Sequence, residues 1–303
     1  MFDERVLANL DALDYLQIYG NTVKVAELIG LSQSSCSRRC RALNELLDLG
    51  MDRSDGGYQP SQNTDVLAEM RQAAQKLRVR RSQLRCSLES QVTGVALPSE
   101  FRLLDIESIA TAKVLSLLEG RLVDVWIGGL QKCCPMLTPS LELMQSKCFP
   151  LGKFLLALPL LRWEYVLVSL RTHPLQRSSS ITPDDLAKYP SLILPFSKAS
   201  LLITALQEHG LTGLAYGDAN FSPEHWQGIA TRIGIVPAYQ LPEIEKQFGL
   251  VPLRYSLGIH EVTALVGHRD IISDPCFAKT SDALCNSMHD STIGRCSRTV
   301  WLR

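Results

Sequence analysis

Residues 22–47, TVKVAELIGLSQSSCSRRCRALNELL, decide how the rest of this chain is read. The run from about Val23 to Ile29 has helical patterning and stops at Gly30, a residue suited to a helix end. Ser32 can cap a second helix that continues to about Leu47. Advancing about 100° per residue from Ser34, the side chains of Ser37, Arg38 and Arg41 gather on one side. Cys36, Cys40, Leu43 and Leu47 gather on the other. A second helix after a tight turn, apolar behind and cationic in front, is what a reader of the DNA major groove requires. Arg reaches guanine edges or phosphates, while Ser and Gln supply short hydrogen bonds. The predicted DNA contacts are therefore Ser32, Gln33, Ser34, Ser37, Arg38 and Arg41, with double-stranded DNA as the partner. A merely solvated face is the competing reading. The absence of any acid between Leu31 and Leu43 argues against it.

Working outward, Met51-Asp-Arg-Ser-Asp-Gly-Gly-Tyr predicts a β-hairpin turning at Gly56–Gly57. That hairpin would be a wing, with Arg53 placed to reach a phosphate or the minor groove. The next stretch, 62–85, reads as a linker helix with apolar positions Val66, Met70, Ala73, Leu77 and Leu84. This is a heptad-like seam, and Val66, Met70, Ala73 and Leu77 are predicted to pair two copies. Six basic residues and no acid lie between Arg71 and Arg85. A solvated linker is the alternative there. Pairing doubles the contacts available to a helix-turn-helix, which alone offers few.

Beyond about residue 100, short β-rich runs alternate with helical patterns, as in βαβ units. Candidate strands are Phe101–Ile106, Val123–Ile127, Tyr165–Leu170, Ser191–Leu194 and Gly234–Val236. Candidate helices are Ile109–Leu118, Pro183–Lys188, Leu201–His209 and Pro223–Arg232. Thr182-Pro-Asp-Asp is a strong helix start, with cap, Pro and first-turn acids in order.

Composition narrows the function classes. The 303 residues balance 31 Lys plus Arg against 31 Asp plus Glu, so a wholly basic histone-like protein is excluded while a local basic surface is not. Apolar residues are 46% and charged residues 20%, values of an ordinary globular chain of two units. The longest apolar stretch, Phe154 to Leu161, is far short of a bilayer span and contains Pro159. The acidic N-terminal stretch is unlike a signal peptide. The expectation is a cytoplasmic protein with no membrane partner. Nine cysteines, without any Cys-x-x-Cys, suit neither a disulfide scaffold nor a structural metal. Cys276, Cys285 and Cys296 are widely spaced, with His289 near them. No metal and no cofactor is expected.

The helix-turn-helix resembles that of the LysR-type transcriptional regulators. Ala26, Ser32, Gln33, Ser37, Leu43 and Leu47 match the family pattern, with conservative changes at Ile29 and Leu31. Val25, Ser34, Ser35, Cys36, Cys40 and Asn44 depart from it but keep the apolar and polar sides in place. Further along, Leu117-Leu-Glu-Gly-Arg-Leu-Val-Asp-Val-Trp-Ile-Gly, His173-Pro-Leu, Ile181-Thr-Pro-Asp-Asp-Leu-Ala and Gly234-Ile-Val-Pro are similar to family segments. One departure is large. The family begins its second domain with a strand and a long helix, and only residues 87–116 stand between Cys86 and Leu117 here. That first βα unit is expected to be truncated or remodelled.

The resemblance implies a winged helix-turn-helix over 1–61, a linker and dimerisation helix over 62–85, and a two-lobed α/β domain over 86–303 like type 2 periplasmic binding proteins. Lobe I would take about 86–160 and 267–303, and lobe II about 161–266. A small organic acid would be the effector, bound in the cleft between them. By family position its contacts would be Gly129, Ser197, Lys198, Ser200, Asn220 and Val236. The assembly would be a homodimer or homotetramer. Two alternatives keep the DNA-binding reading: a degenerate pocket, or thiol redox sensing through Cys133–Cys134. A solute-binding protein would not carry residues 1–85, and an enzyme would need a catalytic constellation. None emerges: there is no phosphate loop, dinucleotide fingerprint, His-Glu-x-x-His or nucleophile elbow.

Overall fold

The computed structural model describes residues 3–54, 57–89, 92, 95–104, 111–130, 148–193, 200–211, 214–216, 232–291 and 296–302. Helix α1, Glu4–Tyr19, starts where the Asp3 carboxylate accepts from Arg5 N at 2.9 Å. Helix α2, Thr22–Leu28, is capped by Asn21, and α3 is Gln33–Leu47. Their shared core is Leu10, Leu13, Leu16, Val25, Ala26, Cys36, Cys40 and Leu43, all buried. The predicted hairpin forms, β1 Met51–Ser54 paired antiparallel with β2 Gly57–Pro60, but Gly57 stands opposite Ser54 as the first residue of β2 and not in the turn.

Helix α4 spans Thr64–Arg80 and so ends earlier than the sequence pattern suggested. Leu84 and Arg85 belong instead to strand β3, Leu84–Leu88. The Leu84 side chain faces the sheet core, which is why it fits an apolar seam without being part of one. Strand β4, Phe101–Leu103, lies parallel to β3. Among the described residues between these two strands, no helix longer than a single turn occurs. Residues 89–100 alone join β3 to β4, too few for a long crossover helix between them.

Helix α5, Thr111–Glu119, leads into β5, Val125–Gly129, and β6, Phe149–Leu151, precedes β7, Leu155–Leu170. A 3₁₀ turn at Pro174–Arg177 and the short helix α6, Pro183–Leu186, lead to β8, Ser191–Ile193. At α6 the Thr182 hydroxyl accepts from Asp185 N while the Asp185 carboxylate accepts from Thr182 N, a full capping box. Next come α7 Ser200–Glu208, β9 Leu214–Tyr216 and β10 Ile233–Pro237. The chain ends with α8 Leu241–Phe248, β11 Leu250–His268, α9 Arg269–Ile272, α10 Pro275–Asp290 and β12 Thr299–Trp301.

One ten-stranded sheet organises the second domain, in the order β4-β3-β5-β11-β7-β10-β8-β9, with β6 and β12 also on β7. The 16-residue β7 and 19-residue β11 run antiparallel through its centre. At one end β11 pairs with β5 over Thr263–Gly267, and at the other β7 pairs with β10 over Tyr165–Val168. The two lobes therefore share two continuous strands rather than meeting at simple linkers. The β7–β11 ladder is interrupted between Ser256 and His260, where Gly258 sits at φ +64°, a backbone shape few other residues adopt.

Candidate nucleic-acid interface

The turn between α2 and α3 is built from local hydrogen bonds. Gly30 takes φ +67°, and Leu31 N donates to Ala26 O at 2.8 Å, closing the end of α2. The Ser32 hydroxyl accepts from Ser35 N at 3.2 Å and starts α3. Gln33 donates from Nε2 to Thr22 Oγ1 at 3.2 Å, tying the first residue of α3 to the first of α2. Its amide thus fixes the angle between the two helices as well as standing at the surface. Arg38 donates to Ser35 Oγ at 3.2 Å.

The two faces of α3 divide as predicted. Cys36, Cys40 and Leu43 are buried, whereas Ser32, Gln33, Ser34, Arg38 and Arg41 are exposed and Ser37 is half-buried. Burial pushes the Cys40 thiol up to about 12, with neighbouring Cys36 adding to the effect. Burial raises Cys36 as well, so both remain protonated packing groups. At its far end α3 is closed by Asp48 at φ 49°. Asn63 then donates from Nδ2 to Leu47 O at 2.8 Å and Asp48 O at 3.1 Å. This clamp joins α3 to the start of α4, and nothing in the local sequence pattern announced it. The wing is held to α1 by Gln17, whose Nε2 donates to Tyr58 O at 3.1 Å. Arg53 lies in β1, paired with Tyr58.

Behind this surface, α4 is anchored by buried charge. Arg71 donates from Nε to Asp14 of α1 at 2.8 Å, and Arg85 of β3 donates to the other oxygen of Asp14 at 2.8 Å. Arg85 also pairs with Asp11, and Arg71 with Gln17. Arg78 grips Asp124 with two bonds of 2.8 Å, and Asp124 also accepts from Arg85 N. Three of the six basic residues in this stretch are thus internal. The inner face of α4 comprises Leu67, Arg71, Ala74, Gln75 and Val79. Of the predicted pairing residues, Val66 is exposed, and Met70, Ala73 and Leu77 are half-buried beside that face.

The predicted effector contacts are less gathered. Ser197, Lys198 and Asn220 lie outside the described residues, and Ser200 is the first residue of α7. Gly129 ends β5, where its N–H donates to Glu89 at 2.6 Å and an added Cβ would stand 2.9 Å from Glu261 Cδ. The Val236 side chain is fully buried with Val166, Val168, Ala238, Ile244 and Leu250, in the core of lobe II. Cys133 and Cys134 fall outside the described residues. Among the described residues no group of three or more His, Cys, Asp or Glu could hold a metal ion, and no helix is long and apolar enough to cross a membrane.

No family profile matches the sequence, and no curated protein matches it significantly. Solved structures do. A full-length point variant of OxyR from Pseudomonas aeruginosa superposes with a TM-score of 0.59 at 15% identity, covering 96% of each chain. CbnR, described as a LysR family transcriptional regulator, gives 0.50 at 15% identity over 95% of this chain and all of that one. The regulatory domain of MetR from N. meningitidis, described as a LysR family regulator, gives 0.52 at 14% identity over 73% of this chain and 98% of its own. This chain has the full-length LysR fold. Within that fold α3 is the second helix of the N-terminal helix-turn-helix, and the ten-stranded sheet forms the two-lobed second domain.

Proposed function

We propose that this chain is a sequence-specific DNA-binding transcriptional regulator of the LysR type, acting as a homodimer or homotetramer. The observation that carries the reading is α3. Its buried side is Cys36, Cys40 and Leu43, and its open side presents Ser34, Arg38 and Arg41, with the carboxylate of Glu45 following only one turn further along, near the helix end. Such a helix offers guanidinium forks and hydroxyls to base edges and phosphates. Ser32, Gln33, Ser37 and Arg53 complete the proposed DNA-contacting set, and Val66, Met70, Ala73 and Leu77 the pairing stripe. The likeness of the whole chain to full-length regulators supports this arrangement of units. The test is selection of duplexes from a random pool, followed by titration of the enriched sequence. Arg38→Ala and Arg41→Ala should each weaken binding by about 1–3 kcal/mol and leave thermal stability unchanged. A chain that enriches no sequence, or variants that bind as wild type, would overturn the assignment.

A small organic acid acting between the lobes near Ser197, Lys198, Ser200 and Asn220 is the regulatory part of the proposal. The short connection between β3 and β4 favours a second reading, in which this cleft has lost a wall and its ligand with it. A thermal-shift series with organic acids separates the two: stabilisation abolished by Ser200→Ala supports the effector, and none from any acid supports the lost cleft.

A further inference from the structure

A cavity of about 290 Å³ lies away from the lobe cleft, where α1, the end of α4 and strand β4 meet. Its walls carry Arg78, Arg81, Arg85 and Arg102 against two carboxylates, Asp11 and Glu100. Arg85 is already matched by Asp11 and Asp14, and Arg78 by Asp124 behind the wall. Those pairs hold two guanidiniums rigidly in place. Even so, Arg78 Nη1 is buried without a hydrogen-bond partner. With no open surface, that nitrogen cannot touch a ligand and adds only the charge of its guanidinium to the wall. Arg81 and Arg102 make no ion pair with a carboxylate among the described residues. Arg102 stacks over Tyr15 at 5.1 Å and donates to Leu28 O at 3.0 Å.

We propose that this cavity binds a small anion through a phosphate or carboxylate group. Arg81 and Arg102 supply the charge, and the Arg78 and Arg85 guanidiniums, fixed by their own carboxylates, line the wall beside them. Planar guanidinium forks suit these oxyanions better than any other side chain. Glu100 stands among the same lining residues and opposes the anion, so it tunes affinity downward. The volume, just under the usual range for ligand pockets, fits a compact metabolite. Occupancy would tie the end of the linker helix (Arg81) to lobe I (Arg102) beside α1, locking one arrangement of the N-terminal unit. Because a ligand shifts an equilibrium only by differential affinity, such a lock would change DNA affinity without entering the lobe cleft. The binding itself does not depend on the DNA reading.

The experiment is calorimetric titration of the full chain with inorganic phosphate and, separately, citrate, in chloride buffer. Saturable single-site binding is expected with at least one of them, and which one binds more tightly identifies the oxyanion. Arg81→Ala and Arg102→Ala should each weaken it by at least about tenfold, and Glu100→Gln should tighten it. Lys153→Ala, an exposed cation outside the cavity, should bind as wild type. Thermal unfolding of each variant checks that it is folded. No saturable binding of either anion, equal binding in both Arg variants, or equal weakening in Lys153→Ala would overturn the proposal.

Discussion

Arg85 of the first sheet strand donates from Nη1 to the Asp14 carboxylate of α1 at 2.8 Å, across 71 positions of sequence and with both groups buried. The same carboxylate receives Arg71 from α4. One acid thus joins the N-terminal unit, the linker helix and lobe I, so the three are mechanically continuous around Asp14.

Replacing Asp14 by Ala leaves Arg71 buried without its counter-charge and Arg85 with only the half-exposed Asp11. Breaking a buried pair this way costs about 3–5 kcal/mol, whereas removing both sides with apolar residues costs far less. The expected outcome is a large loss of stability in Asp14→Ala, partly restored when Arg71→Met and Arg85→Met are added. Urea denaturation measures this. Equal midpoints for wild type and Asp14→Ala would show that the network contributes nothing.

A second cluster sets the response to acid. Asp270 lies 3.0 Å from Arg121 and accepts from Gln72 of α4, and its other oxygen is 2.5 Å from His268 Nδ1. Burial alone would raise the Asp270 carboxyl, but Arg121, Gln72 and His268 together hold it at about 2. Its contribution to stability is present above the ordinary carboxylate value of about 3.9 and is lost as pH falls from there towards 2. Burial, then Arg121, lowers His268, with Asp270 opposing and Arg269 adding to the shift. The unfolded chain therefore binds that proton more readily, and stability begins to fall below about pH 6.5. His268→Gln should flatten the loss that begins below about pH 6.5, and Asp270→Asn the loss below about pH 4. Melting curves across pH that are unchanged by either substitution would refute this origin.

The α2–α3 segment was legible because its signals are local. Gly30, Ser32 and the spacing of Cys36, Cys40 and Leu43 act within one or two helical turns. The hairpin at Gly57 is local in the same way. Strand β7 was legible only over Tyr165–Leu170, and β11 was not legible at all. Buried on both faces for much of their length, they lack the alternation that marks a half-exposed strand. The basic run from Arg71 to Arg85 misled for a different reason. Arg71, Arg78 and Arg85 find partners 57, 46 and 71 positions away, and no window along the chain contains both members of a pair.

The buried thiols of α3 yield a third prediction. Cys40→Asp places an unpaired carboxylate in the core shared by α1, α2 and α3, and should destabilise the N-terminal unit by more than about 3 kcal/mol. With Cys40 pushed up to about 12, alkylation by iodoacetamide at neutral pH should spare Cys40 until the chain unfolds. Mass spectrometry after brief labelling decides it. Rapid modification of Cys40 in the folded protein would mean that α3 is not packed as described.

The pairing stripe of α4 gives the last prediction. Val66 is 42% exposed, and Ala73, two turns further along the same side, is half-buried, whereas Met70 between them also packs on the core. Val66→Lys with Ala73→Lys therefore tests association with little harm to the fold, since neither side chain is buried. If two copies pair along this stripe, the new charges face their symmetry mates in a closing apolar seam, and like charges there cannot be desolvated cheaply. Sedimentation should show a shift towards monomer at micromolar concentration, with an unfolding midpoint close to wild type. Affinity for DNA with two half-sites should fall, because each monomer then binds with only its own contacts. A double variant that sediments as wild type, or a wild-type chain already monomeric at that concentration, would remove this stripe from the assembly.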